Sequence, residues 1–152
     1  LYRRFSRVIS IDVQPTSTRQ IKGDLEVLPF RDGCFDIIVC LDVMEHVKDD
    51  RAAMREIWRV LTPGGVALIH VPLFDALRPW YAGVPIRTPE ELWKSRYHGT
   101  SKIYREYNRD GMLKRLGEAG LTVHLINYPD DEFDIGPSNP KGPLTLFACW
   151  GG

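Results

Sequence analysis

GDLEVLPFRDGCFDIIVCLDVMEHVKDDRAAMREIWRVLTPGGVALIHVP, residues 23–72, is the stretch whose reading decides the fold of this chain. Residues 35–41 (FDIIVCL) are nearly all apolar after the second position, which suits a strand of a parallel sheet covered on both faces. Asp49 and Asp50 then offer an N-cap and a negative first turn to a helix. In that helix Ala53, Met54, Ile57, Trp58 and Leu61 recur at helical spacing, with Arg51, Arg55, Glu56 and Arg59 off the stripe. Pro63-Gly64-Gly65 is expected to stop the helix, and residues 66–71 (VALIHV) to form the next strand. Strand, helix and strand in so short a span make a βαβ unit with parallel strands and a right-handed crossover.

Working outward, residues 1–7 read as the tail of a helix and 8–13 (VISIDV) as a short strand. Residues 14–19 are polar and contain a proline, hence a loop; 21–28 are mixed, with room for a short edge strand that Pro29 ends. Asp32-Gly33 is a turn signal. Downstream, residues 72–107 are rich in aromatics, among them Phe74, Trp80, Tyr81, Trp93, Tyr97, Tyr104 and Tyr107. Thr88-Pro89-Glu90-Glu91 combines a capping box with proline at the first helical position. A further helix is expected from near Asn108, with Met112, Leu113 and Leu116 on one face and Gly120 just past its end. Residues 121–128 and 144–150 read as a final pair of strands separated by a Pro/Gly/Asp-rich loop. There is no internal repeat, low-complexity tract or linker, so residues 1–152 are read as one domain.

The composition is that of a globular chain: 152 residues, 43% hydrophobic and 26% charged, with 20 basic side chains balancing 20 acidic ones. Zero net charge argues against a nucleic-acid partner, which would need a basic excess on one face. No apolar run approaches the roughly 20 residues that span a bilayer, and no signal-peptide pattern is present. Neither a membrane partner nor a compartment other than the cytoplasm is therefore expected. Leu1 is not an initiator methionine, so the original start was removed or lies upstream. The three cysteines, Cys34, Cys40 and Cys149, are odd in number and lack metal-ligand spacing, so no metal site is expected. Cys40, inside an apolar run, reads as a small buried residue.

Asp12 ends the first strand. In doubly wound nucleotide-binding folds an acid there accepts hydrogen bonds from ribose hydroxyls, and ligands lie outside the carboxyl ends of the strands. The plain alternative is a turn residue. Asp24-Leu25 is a second candidate pair, since a carboxylate can accept from an adenine amino group while the next backbone N–H donates to a ring nitrogen. Its plain alternative is a solvated loop acid.

The ordered set Asp12, Gly23-Asp24-Leu25, Leu28-Pro29-Phe30, Phe35-Asp36, Glu45-His46-Val47, Arg59-Val60-Leu61 and Pro63-Gly64-Gly65 resembles the class I S-adenosylmethionine-dependent methyltransferases, in particular the type 11-like enzymes that act on small molecules. The resemblance covers nearly all of the chain from Val8 onward. It implies an α/β fold, a doubly wound Rossmann-like sheet that is mostly parallel with an antiparallel C-terminal strand pair. It also implies S-adenosylmethionine as cofactor and a small-molecule methyl acceptor as partner. The cofactor site it implies comprises Asp12 and Val13 at the ribose, Asp24 and Leu25 at the adenine, and Leu41 and Asp42 at the sulfonium end.

One departure stands out. The family's first strand and its glycine-rich loop have no counterpart, because the chain contains no G-x-G and Gly64-Gly65 follow a helix. That strand belongs between the one bearing Asp12 and the one at Phe35, so two edges rich in Val and Ile are expected to lack a partner. Either the working protein continues upstream of Leu1, or this is a shortened relative that has rearranged or pairs with another chain, for instance as a homodimer.

The expected function is methyl transfer to a small-molecule acceptor. A second reading is a non-catalytic methyltransferase-like module that binds or oligomerises. A third, a nicotinamide-dependent oxidoreductase, shares the strand-end aspartate but not the terminal strand pair or the GDLEVLPF segment. No residue is assigned a catalytic role. An oxygen or nitrogen acceptor would call for a base, for which His46 and His98 are the titratable candidates. His46, following a buried strand, reads rather as a packing or hydrogen-bonding histidine, and His70 and His124, inside strands, read as structural. Trp80, Tyr81 and Tyr97 either line an acceptor pocket or form a small core of their own. Nothing in residues 72–107 spells out a sugar, lipid, quinone or amine.

Overall fold

The computed structural model describes residues 7–73, 103–128 and 144–151. The candidates Trp80, Tyr81, Tyr97 and His98, the helix start at Thr88 and the loop before the last strand lie outside the described residues. The described residues form two sheets. In the smaller, β1 (Ser10–Asp12) runs parallel to β2 (Gln20–Lys22). The larger has four strands in the order β3 (Phe35–Leu41), β4 (Leu61–His70), β6 (Leu144–Gly151), β5 (Leu121–Tyr128). β3 and β4 are parallel, and β6 is antiparallel to both of its neighbours. The expected α/β architecture, parallel strands followed by an antiparallel C-terminal pair, is what the chain adopts.

Helix α1 (Asp50–Val60) joins β3 to β4. Asp49 caps it, its carboxylate accepting from Ala52 N–H at 3.0 Å. Its buried stripe is Ala53, Met54, Ile57 and Val60, which corrects two assignments. Trp58 is 42% exposed and lies over Gly120, where a Cβ would come within 3.2 Å of the indole Nε1. Leu61 does not close the helix but opens β4, paired with Phe35.

The helix also stops earlier than Pro-Gly-Gly. Proline forces the residue before it out of the helical region, so Thr62 is extended and the chain enters β4 ahead of Pro63. The Pro-Gly-Gly triplet then forms an irregularity inside the strand, where the register shifts between Phe35 and Ile37. Gly64 there has φ +77°, and a Cβ on Gly65 would sit 3.0 Å from Phe35 O.

Helix α2 (Arg109–Glu118) is capped by Asn108, which accepts from Gly111 N–H at 2.7 Å. It buries Met112 and Leu116, with Leu113 packed at the margin of the core. Beneath the two helices one face of the sheet is sealed: Cys40, Ala67, Ile69, Phe147 and Cys149 are all buried. Each large side chain there contributes about 1.5–3 kcal/mol through its removal from water.

The helices are joined through Asp50, which is 2% exposed. It accepts from Tyr107 Oη at 2.9 Å and Arg115 Nη1 at 3.0 Å, with Arg105 Nε at 3.5 Å. Burial, with Asp50 beside it, pushes the Tyr107 phenol above its ordinary range. Arg105 also donates to Val47 O and Lys48 O, so residues 105–107 are strapped across the start of α1. No helix among the described residues is long and apolar enough to cross a membrane.

Candidate active site at the carboxyl ends of the strands

In open α/β sheets ligands bind beyond the carboxyl ends of the parallel strands, where β1 and β3 deliver most of the sequence candidates. Asp12 is the last residue of β1. One carboxylate oxygen accepts from Gln14 N–H at 2.8 Å, which is the turn expected of a strand-end aspartate; the other has no partner among the described residues. Val13 follows, 58% exposed. The backbone of Asp12 accepts from Gly23 N–H at 3.1 Å. A Cβ on Gly23 would stand 2.8 Å from Ile11 Cγ2, so only glycine lets the next residue approach β1 so closely.

That next residue is Asp24. Its Oδ1 accepts from Glu26 N–H at 2.9 Å, and its carbonyl from Val27 N–H at 3.1 Å. Asp24 is exposed, while Leu25 packs against the main core. The turn thus combines a fixed, solvent-facing carboxylate with a backbone N–H at Leu25 that has no partner among the described residues.

Leu41 closes β3, 48% exposed. Asp42 then turns the chain with φ +53°, a left-handed conformation in which no other described non-glycine residue is found. Such strain clusters at functional sites. Two contacts hold it: Asp42 N–H donates to His70 O at 3.1 Å, and Asp42 Oδ1 lies 2.8 Å from His70 Nδ1. An ionised Asp42 can only accept at this contact, so Nδ1 is the donor.

Three residues on is Glu45, 3% exposed, in the short 3-10 turn Met44–His46. Neither of its carboxylate oxygens has a hydrogen-bond partner among the described residues. Burial pushes this carboxyl above the ordinary carboxylate range, and Asp42 adds to the rise. Its own backbone N–H, His46 and His70 pull the other way.

His70, read from the sequence as structural, and Glu45, quoted there only within the family pattern, are therefore brought to the edge where Asp42 stands. The parallel register pairs Leu41 with His70, and that register is the only signal that could have brought His70 beside Asp42. His46 is half-buried in the turn. His124 stands away from this edge, edge-on to Trp150 with ring centroids 4.9 Å apart. No cluster of three or more metal-ligating side chains occurs among the described residues.

Residues 1–69 match the family described as the methyltransferase domain. Over 131 residues the chain is 30% identical to the uncharacterized protein YafE of Escherichia coli (strain K12), covering 80% of this chain and 58% of that protein. Over 64 residues it is 39% identical to the ubiquinone/menaquinone biosynthesis C-methyltransferase UbiE of Vibrio vulnificus (strain YJ016), covering 40% of this chain and 25% of that one. The chain thus spans less than two-thirds of the length of these relatives. Among solved structures, an S-adenosylmethionine-dependent methyltransferase from Mesorhizobium loti superposes with a TM-score of 0.61 at 15% identity, covering 91% of this chain and 72% of that one. At that identity the likeness is one of fold.

Proposed function

We propose that this chain, which belongs to the class I S-adenosylmethionine-dependent methyltransferases, serves the transfer of a methyl group to a small-molecule acceptor in the cytoplasm. The observation that carries the reading is the Asp42 turn. A strained aspartate, fixed by His70 at the ends of two parallel strands, stands where this fold places its chemistry.

The donor set fits the family's cofactor. Asp12 keeps one carboxylate oxygen for ribose hydroxyls. Asp24 and the Leu25 N–H form an acceptor–donor pair for adenine, and Leu41 with Val13 supplies apolar surface. Asp42 stands at the sulfonium end. When bound, S-adenosylmethionine supplies a methyl group already activated by its positive sulfur. The chain's own residues then have to align the acceptor and exclude water. An oxygen or nitrogen acceptor would call for a base, and His70, held by Asp42 at 2.8 Å, joins His46 and His98 as a candidate. A small-molecule acceptor accords with the UbiE relative's being a ubiquinone/menaquinone biosynthesis C-methyltransferase, and the balanced charge speaks against nucleic acid.

Calorimetric titration with S-adenosylhomocysteine tests the reading. Micromolar binding is expected, weakened about tenfold or more in Asp12→Ala, as for loss of a charged hydrogen bond. A folded sample that gives no heat sinks it.

One observation favours a second reading, a methyltransferase-like binding or oligomerising module. The open face of β3 presents Ile37, Val39 and Leu41 at 45%, 55% and 48% exposure, a surface suited to another chain such as a second copy.

A further inference from the structure

We propose that Glu56 and Arg59, on the last turn of α1, are positioning residues for base recognition. They hold the loop after β2 in the conformation that presents Asp24 and Leu25 to an adenine ring. The inference rests on the cofactor reading above and goes beyond it, since neither residue lies at the ligand edge.

The geometry is dense. Arg59 Nη1 donates to Phe30 O at 2.8 Å and Asp32 Oδ1 at 2.7 Å, and Nη2 to Leu28 O at 3.1 Å. Its Nε and Nη2 grip the two oxygens of Glu56, each at 2.7 Å. Glu56 Oε2 in turn accepts from Leu28 N–H at 2.7 Å. One ion pair thus holds both the N–H and the C=O of Leu28, at the foot of the turn that starts at Asp24. The Arg59 guanidinium accordingly keeps the Glu56 carboxyl below its ordinary range.

The other end of the same helix holds the same loop. Glu26 Oε1 accepts from Lys48 N–H and Asp49 N–H, each at 3.0 Å. The segment is therefore strung between two points on one rigid rod roughly 16 Å long, at 1.5 Å per residue.

Burial alone cannot do this. Leu28 is buried and Leu25 packs on the core, which fixes the depth of the loop. Apolar contact is non-directional, however, and does not set the heading of the Asp24 carboxylate. Hydrogen bonds are directional, and the guanidinium fork meets two carbonyls and two carboxylates at once, a pattern that lysine cannot reproduce.

The test compares S-adenosylhomocysteine with its purine-riboside analogue, in which hydrogen replaces the adenine amino group that Asp24 would accept from and the ring nitrogens remain acceptors. The parent chain is expected to prefer the adenosyl compound by about tenfold or more, the worth of one charged hydrogen bond. Asp24→Ala should bring that ratio close to one, and so should Arg59→Lys, although Arg59 touches no ligand. A ratio near one in the parent, or no binding, overturns the adenine reading and this inference with it. A collapsed ratio in Asp24→Ala beside an intact one in Arg59→Lys overturns the inference alone. Hydrogen exchange gives an answer independent of ligand. The Leu28 amide should exchange about tenfold faster or more in Arg59→Lys, as for loss of a charged contact, while α1 amides keep their protection. Unchanged exchange at Leu28 would also overturn the clamp.

Discussion

The two faces of the four-stranded sheet are written in the same apolar alphabet and meet different fates. One carries Cys40, Ala67, Ile69, Phe147 and Cys149, all buried under α1 and α2. The other carries Ile37, Val39 and Leu41, about half exposed among the described residues. Side chains on alternate positions of one strand thus differ in burial although they hardly differ in hydropathy. Apolar composition records what a strand is suited to, and covering elements decide what becomes of it. The same applies to the carboxylates behind the sheet's edge: Asp50 is buried with three partners, and Glu45 is buried with none among the described residues.

The comparison is broken most directly from the sealed side. Phe147→Ala should cost about 3–5 kcal/mol in urea unfolding through the cavity it leaves; a cost under about 1 kcal/mol would show that this face is not the core. Asp50→Ala strands two guanidinium groups and a phenol and is expected to lose about 3 kcal/mol or more, measured in the same way.

Glu45→Gln should act in the opposite direction. The folded state holds the Glu45 proton more tightly than the unfolded chain does. Stability therefore declines as pH rises from the ordinary carboxylate range through the raised folded value, and stays low above it. The glutamine variant has no charge to desolvate, so it should lose that decline and be more stable than the parent at neutral pH. A pH profile identical to that of the parent would mean that the carboxylate finds a partner.

Val39→Thr, on the open face, should change stability by no more than about 0.5 kcal/mol. A substantially larger cost, growing with protein concentration, would show that a second copy covers β3.

Much of this architecture was legible from local chemistry. Asp49 was readable as a cap, Asn108 as the start of α2, and residues 35–41 as a strand, because each depends on near neighbours. The errors had local causes too. Proline acts on the residue before it, so α1 ended short of Pro-Gly-Gly, and Val60 rather than Trp58 completed the buried stripe. What stayed hidden depends on register. Asp42 and His70 meet only because β3 and β4 align Leu41 with His70. Arg59 reaches Phe30 only because the loop folds back along α1. Asp12 and Asp24 were readable as residue types at strand and loop ends. Spacing said nothing of the Asx turns that commit one oxygen of each and leave the other.

The cysteines carry a practical consequence. Cys40 and Cys149 are buried, and desolvation pushes both thiols up to about 12, with Glu45 and Asp42 adding to the rise at Cys40. At neutral pH neither offers a thiolate for alkylation. Cys34 is the half-buried exception, its N–H bonded to Val60 O next to the Arg59 clamp. A maleimide dye added to the unmodified chain would therefore report from one place, the turn where residues 23–34 lead into β3.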